Sequence, residues 1–110
     1  MTNQEAINHP VYMSPEANQL LRRLAKRYVW WKTPEESLTM PRRLIAQVMN
    51  LGEFGDVSEL AQTLGDEDLL DALIHAEPGQ FCERSWEYWH YRLGLAEPDK
   101  VPALPRRAFA

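Results

Sequence analysis

Helix start and stop signals recur along this chain of 110 residues and limit the length of any one helix. Ser14-Pro15 and Thr33-Pro34 each place a capping side chain before a proline, which is tolerated in the first helical turn because its missing N–H is not needed there. Further breaks fall at Pro41, Gly52, Gly65, Pro78-Gly79 and Gly94. Helices of roughly eight to twelve residues cannot line a long seam, so these signals favour an irregular array over a long up-and-down bundle.

Apolar residues between these breaks repeat with the period of a helix. The first stripe consists of Ala17, Leu20, Leu21, Leu24 and Tyr28, and later stripes occupy residues 44–49, 57–64 and 69–74. No segment alternates apolar and polar residues long enough to indicate a strand. The sequence therefore predicts an all-α fold, an irregular array of five to six short helices with an extended Pro-rich C-terminal tail.

Individual helix ends can also be predicted from local chemistry. Thr33 and Glu36 have the spacing of a capping box, in which each side chain bonds the backbone N–H of the other residue. Gly52 is expected to end a helix in the left-handed conformation. Asp56 and Asp66 are expected to begin the next two helices, because a carboxylate can accept the free amides of a first turn.

The last helical segment concentrates aromatic residues. Five of the eleven aromatic residues of the chain occur from Phe81 to Tyr91. Trp86, Trp89 and His90 share one helical face, whereas Tyr88 and Tyr91 point elsewhere. We expect the tryptophan face to anchor the core, with His90 closing it through a hydrogen-bonded ring nitrogen. The two tyrosines are then free to contact a partner.

The chain divides into an N-terminal arm, a helical domain and a tail. Residues 1–13 lack a repeating pattern and are expected to be extended, residues 14–95 form the helical domain, and residues 96–110 form the Pro-rich tail. The tail is either free or strapped across the domain by Val101, Leu104 and Phe109. If the strap crosses to a second copy, the chain is a homodimer.

Composition bounds the class of protein. Cys82 is the single cysteine, so no intramolecular disulfide can form. No apolar run approaches the ~20 residues of a membrane helix, and the first residues do not resemble a signal peptide. The sequence thus predicts a soluble cytoplasmic protein. Its net charge of −4 is divided unevenly, at +3 for residues 1–50 and −7 for residues 51–110.

Catalytic, metal and cofactor signatures are lacking in the sequence. Its histidines and Cys82 do not have the spacing of a zinc framework, and neither a nucleophile elbow nor a glycine-rich phosphate loop occurs. Paired carboxylates fall at helix starts, where the helix dipole explains them. A small enzyme using Cys82 or His90 is the least favoured of three functional hypotheses. We therefore predict a non-enzymatic protein without cofactor or metal.

Nucleic-acid binding is a stronger hypothesis. The segment from Pro15 to Tyr28 is a basic amphipathic helix, and Trp30 and Trp31 follow it, where they could stack on bases. The phosphate-binding residues of such a regulator would be Arg22, Arg23, Lys26, Arg27, Arg42 and Arg43. The acidic pI of about 5.3 argues against this hypothesis.

Several segments together resemble a family of small bacterial helical proteins, mostly uncharacterised. They are residues 28–36 (YVWWKTPEE), 41–49 (PRRLIAQVM), Gly52, 56–57 (DV), 85–94 (SWEYWHYRLG) and 104–107 (LPRR). The similarity spans about residues 24–107, and one departure is Cys82-Glu83 where the family has Asp-Pro. Such proteins are often encoded beside abortive-infection nucleotidyltransferase-like toxins, which implies an antitoxin or accessory role.

Resemblance and charge together give the leading hypothesis. The chain would be a protein-binding module whose acidic surface occludes the basic cleft of a nucleotidyltransferase-like toxin. The partner-binding residues predicted for this role are Asp66, Asp68, Asp71, Tyr88 and Tyr91.

Overall fold

A computed structural model describes residues 14–97 and 99–106, and this part of the chain contains six α-helices and no strand. The helices are α1 (Pro15–Tyr28), α2 (Pro34–Leu38), α3 (Pro41–Leu51), α4 (Phe54–Leu64), α5 (Asp66–Ile74) and α6 (Glu83–Arg92). The prediction of an all-α fold is confirmed for these residues. The predicted arm, residues 1–13, lies outside the described residues.

Side-chain caps fix the first two helices. The Ser14 hydroxyl accepts the Ala17 amide at 3.1 Å. The Glu36 amide donates to Thr33 Oγ1 at 3.1 Å, and the Thr33 amide donates to Glu36 Oε1 at 2.9 Å. Both partners of the predicted capping box are therefore present.

Gly52 does not adopt the predicted left-handed conformation, since its φ is −67° and its backbone is extended. Close packing explains the glycine instead, because a Cβ there would lie 2.5 Å from the Val48 carbonyl oxygen and 2.8 Å from Val57 Cγ2. The following helix begins at Phe54, two residues before the predicted Asp56.

Gly65 joins α4 directly to α5 and serves as the C-cap of one helix and the N-cap of the other. Its φ of +89° is in the range that favours glycine. Asp66 is consequently the first residue of α5, and the predicted side-chain cap at Asp66 is wrong.

Helix α3 occupies the centre of the domain and packs against each of the other five helices. Its buried face and the apolar stripes of α1, α4 and α5 form one core that includes Trp86 and Trp89. The Trp89 indole N–H donates to the Met49 carbonyl oxygen at 2.9 Å. The prediction that both tryptophans are buried is confirmed, at 6% and 1% exposure.

His90 closes the tryptophan face as predicted. It is 5% exposed, and its Nδ1 lies 2.7 Å from the Trp86 carbonyl oxygen. Because a carbonyl oxygen can only accept, Nδ1 is the donor in this hydrogen bond. Its ring centroid is 4.4 Å from that of Trp86.

Residues after α6 contact the same face. The Trp86 indole N–H donates to the Pro102 carbonyl oxygen at 2.7 Å. Val101 and Leu104 are half-buried and pack against the core. Phe109 and Pro98 lie outside the described residues. The structure therefore describes the tail only at residues 96–97 and 99–106, and the contact predicted for Phe109 stays a prediction.

Candidate functional site

The cations that the sequence suggested for phosphate binding are largely engaged within the chain. Arg22 Nη1 lies 2.8 Å from Glu35 Oε2, and this hydrogen bond is the main reason that the pKa of Glu35 is lowered. The other pairs are Arg23 with Glu59 at 2.6 Å, Arg27 with Glu53 at 2.8 Å, Arg42 with Asp71 at 2.9 Å and Arg43 with Glu77 at 3.4 Å. Lys26 forms no ion pair in the described part of the chain but contributes electrostatically to the lowered pKa of Glu35.

Asp56 is the centre of the contacts between α1 and α4. Its side chain is only 11% exposed and lies 3.0 Å from Arg27 Nη1 and 3.7 Å from Arg23 Nη1. The Tyr28 hydroxyl donates to Asp56 Oδ2 at 2.6 Å and accepts the Glu53 amide at 3.0 Å. Burial, and then this hydrogen bond to Asp56, raises the pKa of Tyr28. The opposite charges of the two halves thus partly neutralise each other within the fold.

The acidic residues predicted to bind a partner lie on α5 but differ in accessibility. Asp66 is exposed and forms no ion pair among the described residues, whereas Asp68 is half-buried. The Asp71 carboxylate contacts Arg42 at 2.9 Å and His75 Nδ1 at 3.1 Å. Asp66 is therefore the most available of the three carboxylates.

The predicted tyrosines lie on α6 and are 48% and 45% exposed for Tyr88 and Tyr91. Tyr88 packs edge-on against Trp89, with 5.2 Å between ring centroids, and its hydroxyl accepts a hydrogen bond from Arg92 at 3.0 Å. The predicted acidic residues and the predicted tyrosines therefore lie on two different helices, α5 and α6. Both helices pack against α3.

Two adjacent tryptophans are the most prominent exposed apolar feature near a cavity. Trp30 is 75% and Trp31 is 56% exposed, and their rings meet edge to face with centroids 5.5 Å apart. Met40, at the start of α3, is 45% exposed. We call Trp30, Trp31 and Met40 the tryptophan surface. From the sequence, these tryptophans were assigned a role only in base stacking. Their position just beyond the end of α1, outside its apolar stripe, was the signal that could have predicted their exposure.

A cavity of about 200 Å³ opens beside this surface, between the C-terminal end of α1, α2 and α3. It is lined by Val29, Trp31, Lys32, Glu36, Ser37, Met40, Arg43, Leu44, Gln47 and Gln80. Although six of the ten lining residues are polar or charged, most of the surface that faces the cavity is apolar. No sequence pattern indicated the cavity, because its walls come from segments that meet only in the folded chain.

Cys82 and His90 are not brought together as a catalytic pair. The Cys82 sulfur lies 3.4 Å from Ser85 Oγ, and hydrogen bonds from Ser85 lower the pKa of this exposed thiol. The hydrogen-bond partner of His90 is instead the Trp86 carbonyl. Within the described residues no group of three or more His, Cys, Asp or Glu is placed to hold a metal ion.

The fold and this surface define a small all-α domain with an exposed aromatic patch and an adjoining cavity. No helix within the described ranges has the length and apolarity needed to cross a membrane. No protein-family model, no curated protein and no solved structure matches the chain.

Proposed function

We propose that this chain is a non-enzymatic protein-binding module that docks through its tryptophan surface. The observation that carries the proposal is the exposure of Trp30 and Trp31, at 75% and 56%. A Trp side chain can bury about 150–250 Å² on association, and Trp is among the residues that dominate binding energy in protein interfaces. Two of them side by side supply the apolar centre that a specific interface needs.

The partner that we propose is a nucleotidyltransferase-like toxin, with this chain as its antitoxin or accessory protein. Resemblance to the small bacterial helical proteins supports that partner. An enzyme that handles nucleotides or RNA needs a basic cleft, and the exposed Asp66 with Asp68 could compete for it. Charge attraction would speed association, while the tryptophan surface would supply most of the affinity.

Co-expression with the product of the neighbouring gene tests this proposal. The double variant Trp30→Ala/Trp31→Ala should weaken capture of the partner at least tenfold and abolish growth rescue. Asp66→Lys/Asp68→Lys should mainly slow association and lower its dependence on salt. Ile74→Ala removes a 63%-exposed side chain on α5 and is the control for loss of exposed apolar area.

All variants should retain the thermal stability of the unmodified chain within a few degrees, because most of the altered side chains are exposed. Wild-type affinity of the Trp30→Ala/Trp31→Ala variant would contradict the proposal. So would the absence of any toxic neighbour.

A nucleic-acid-binding regulator is the second candidate. It is favoured by the position of the exposed Trp30 directly after the basic helix α1, where a base could stack. Phosphates would have to compete with carboxylates for five of the six proposed cations. Retention on immobilised RNA or DNA in 0.15 M salt, lost in Trp30→Ala and in Arg22→Glu/Arg23→Glu, would favour this role.

A further inference from the structure

Residues 101–106 (VPALPR), which we call the strap segment, lie on the domain as an extended peptide. They belong to neither a helix nor a strand, and prolines occupy the second and fifth positions. Val101 and Leu104 are half-buried and pack against the core, and Pro105 is half-buried too, whereas the two residues between Val101 and Leu104 are exposed. A polyproline II helix has three residues per turn, so positions 101 and 104 lie on one face of it. The strap segment therefore presents one apolar face to the domain.

Aromatic side chains form the part of the domain that the strap segment contacts. The Trp86 indole N–H donates to the Pro102 carbonyl oxygen at 2.7 Å. The ring centroids of Phe81 and His90 lie 5.9 and 4.4 Å from that of Trp86. Domains that recognise proline-containing peptides use aromatic surfaces of this kind, because a polyproline II ligand is already ordered before it binds. The chemistry of the contact is thus that of peptide recognition.

Few bonds hold the strap segment in place. Among the described residues, the bond from Trp86 is the one hydrogen bond between the strap segment and the rest of the chain. The chain reaches this position through a turn in which the Lys100 amide donates to the Glu97 carbonyl oxygen at 3.0 Å. Asp99 has a φ of +69° in that turn, which is uncommon for a residue other than glycine. Release of the strap segment would break one hydrogen bond, relieve this turn and leave the six helices of the described chain intact.

We propose that the strap segment is the resident occupant of a peptide-binding site, and that the site accepts an extended segment of another protein with the pattern apolar-Pro-x-apolar-Pro. This pattern is read from residues 101–105 (VPALP), which the site already holds. Two apolar side chains of the incoming segment replace Val101 and Leu104, and one of its carbonyl oxygens accepts the Trp86 indole N–H. The tail is then an autoinhibitory strap. This inference goes beyond the proposed function, because it does not involve the tryptophan surface.

A tethered occupant sets the affinity that an added peptide can reach. The strap segment competes at an effective concentration of the order of 1 mM. The apparent affinity falls in proportion to the fraction of molecules whose site is open, so a strap docked in about nine of ten molecules weakens binding about tenfold. For an open site and a short peptide we expect a Kd on the order of 0.1–1 mM.

The test uses the full chain labelled with ¹⁵N and an unlabelled peptide of residues 99–106 (DKVPALPR). In the variant Val101→Ser/Leu104→Ser, which loosens the resident strap, the peptide should bind at least tenfold more tightly than to the unmodified chain. Binding should shift the indole NMR signal that Trp86→Phe removes. Ala103→Ser alters an exposed residue of the strap segment and is the matched control, with the affinity of the unmodified chain.

Displacement can also be followed in the unmodified chain. Peptide at several millimolar should move the amide signals of Val101 and Leu104 to the positions of a free tail, because the effective concentration of the strap is then matched. A peptide that carries serine at both of these positions should leave the signals unchanged. If the double-serine variant of the chain does not fold, this displacement decides the proposal by itself.

No saturable binding to a folded double-serine variant, or equal binding of the serine-substituted peptide, would overturn the proposal. So would peptide binding to the unmodified chain that leaves the Val101 and Leu104 signals in place. A stable dimer in sedimentation whose strap signals do not respond to peptide would assign the site to a second copy, and would likewise overturn it. None of these measurements uses Trp30, Trp31 or a toxin, so this site and the proposed function can fail separately.

Discussion

Replacement of Trp86 by alanine should reveal how the last helix and the residues after it are held together. The indole is 6% exposed and lies between the rings of Phe81 and His90, with centroids 5.9 and 4.4 Å away. Truncating a buried Trp side chain costs about 3–5 kcal/mol, because the transfer energy is lost and a cavity remains. A domain of this size has a total free energy of unfolding of about 5–15 kcal/mol, so the variant should be marginally stable.

The indole N–H adds a separate contribution. It donates to the Pro102 carbonyl oxygen at 2.7 Å, and such a bond contributes about 0.5–1.5 kcal/mol. Trp86→Phe keeps most of the ring but removes this donor, so it should cost about 1–2 kcal/mol. Amide exchange at Lys100, whose N–H donates to the Glu97 carbonyl oxygen at 3.0 Å, should accelerate in Trp86→Phe by more than global destabilisation explains.

Urea unfolding followed by circular dichroism, together with amide exchange, measures both effects. Tyr88→Ala is the matched control, because this aromatic on the same helix is 48% exposed and its loss should cost much less. Unfolding of Trp86→Ala at the wild-type midpoint would refute the reasoning. Equal destabilisation by Trp86→Phe and Trp86→Ala would show that the hydrogen bond, and not ring burial, dominates.

Three further predictions concern single side chains. Ser37→Ala should raise the free energy of unfolding by about 1 kcal/mol in urea titration, because it removes an unpaired buried hydroxyl; a loss of stability would show that the hydroxyl is bonded in solution. Because the pKa of Tyr28 is raised, its contribution to stability is fully present below the ordinary tyrosine pKa of about 10 and is lost as pH rises towards the raised value. Tyr28→Phe should remove this alkaline loss in pH-dependent melting, and an unchanged profile would contradict its assignment to Tyr28. Iodoacetamide should alkylate Cys82 with a midpoint pH below that of a free thiol, and Ser85→Ala should raise that midpoint; the same midpoint in both proteins would exclude Ser85 as the cause.

Ion pairs within the fold explain why fewer charged residues are available to a partner than the net charges of the two halves of the sequence suggested. Sequence alone showed a basic α1 segment and an acidic second half, which favoured a phosphate-binding helix or a free acidic surface. Folding places Arg23 and Arg27 beside Glu59 and Asp56, so much of this asymmetry is satisfied within one molecule. Exposed ion pairs of this kind contribute little to stability, but they reduce the charge available to a partner.

Local chemistry determined most of the helix pattern. Caps such as Ser14 and Thr33, prolines at first positions and the period of apolar residues act within a few residues, so they can be recognised without the fold. For the same reason the buried face of Trp86 and Trp89 followed from spacing alone. The errors at Gly52 and Asp66 arose where packing or an adjacent helix overrode a local preference.

Only the tertiary structure decided which exposed groups form a site. The cavity joins Val29, Ser37 and Leu44 with Gln80, which is distant from them in the sequence. The exposure of Trp30 and the burial of Asp56 likewise depend on how helices distant in sequence meet. Sequence periodicity states which face of each helix is apolar, but it does not state which faces meet, because that is set by packing across the whole core.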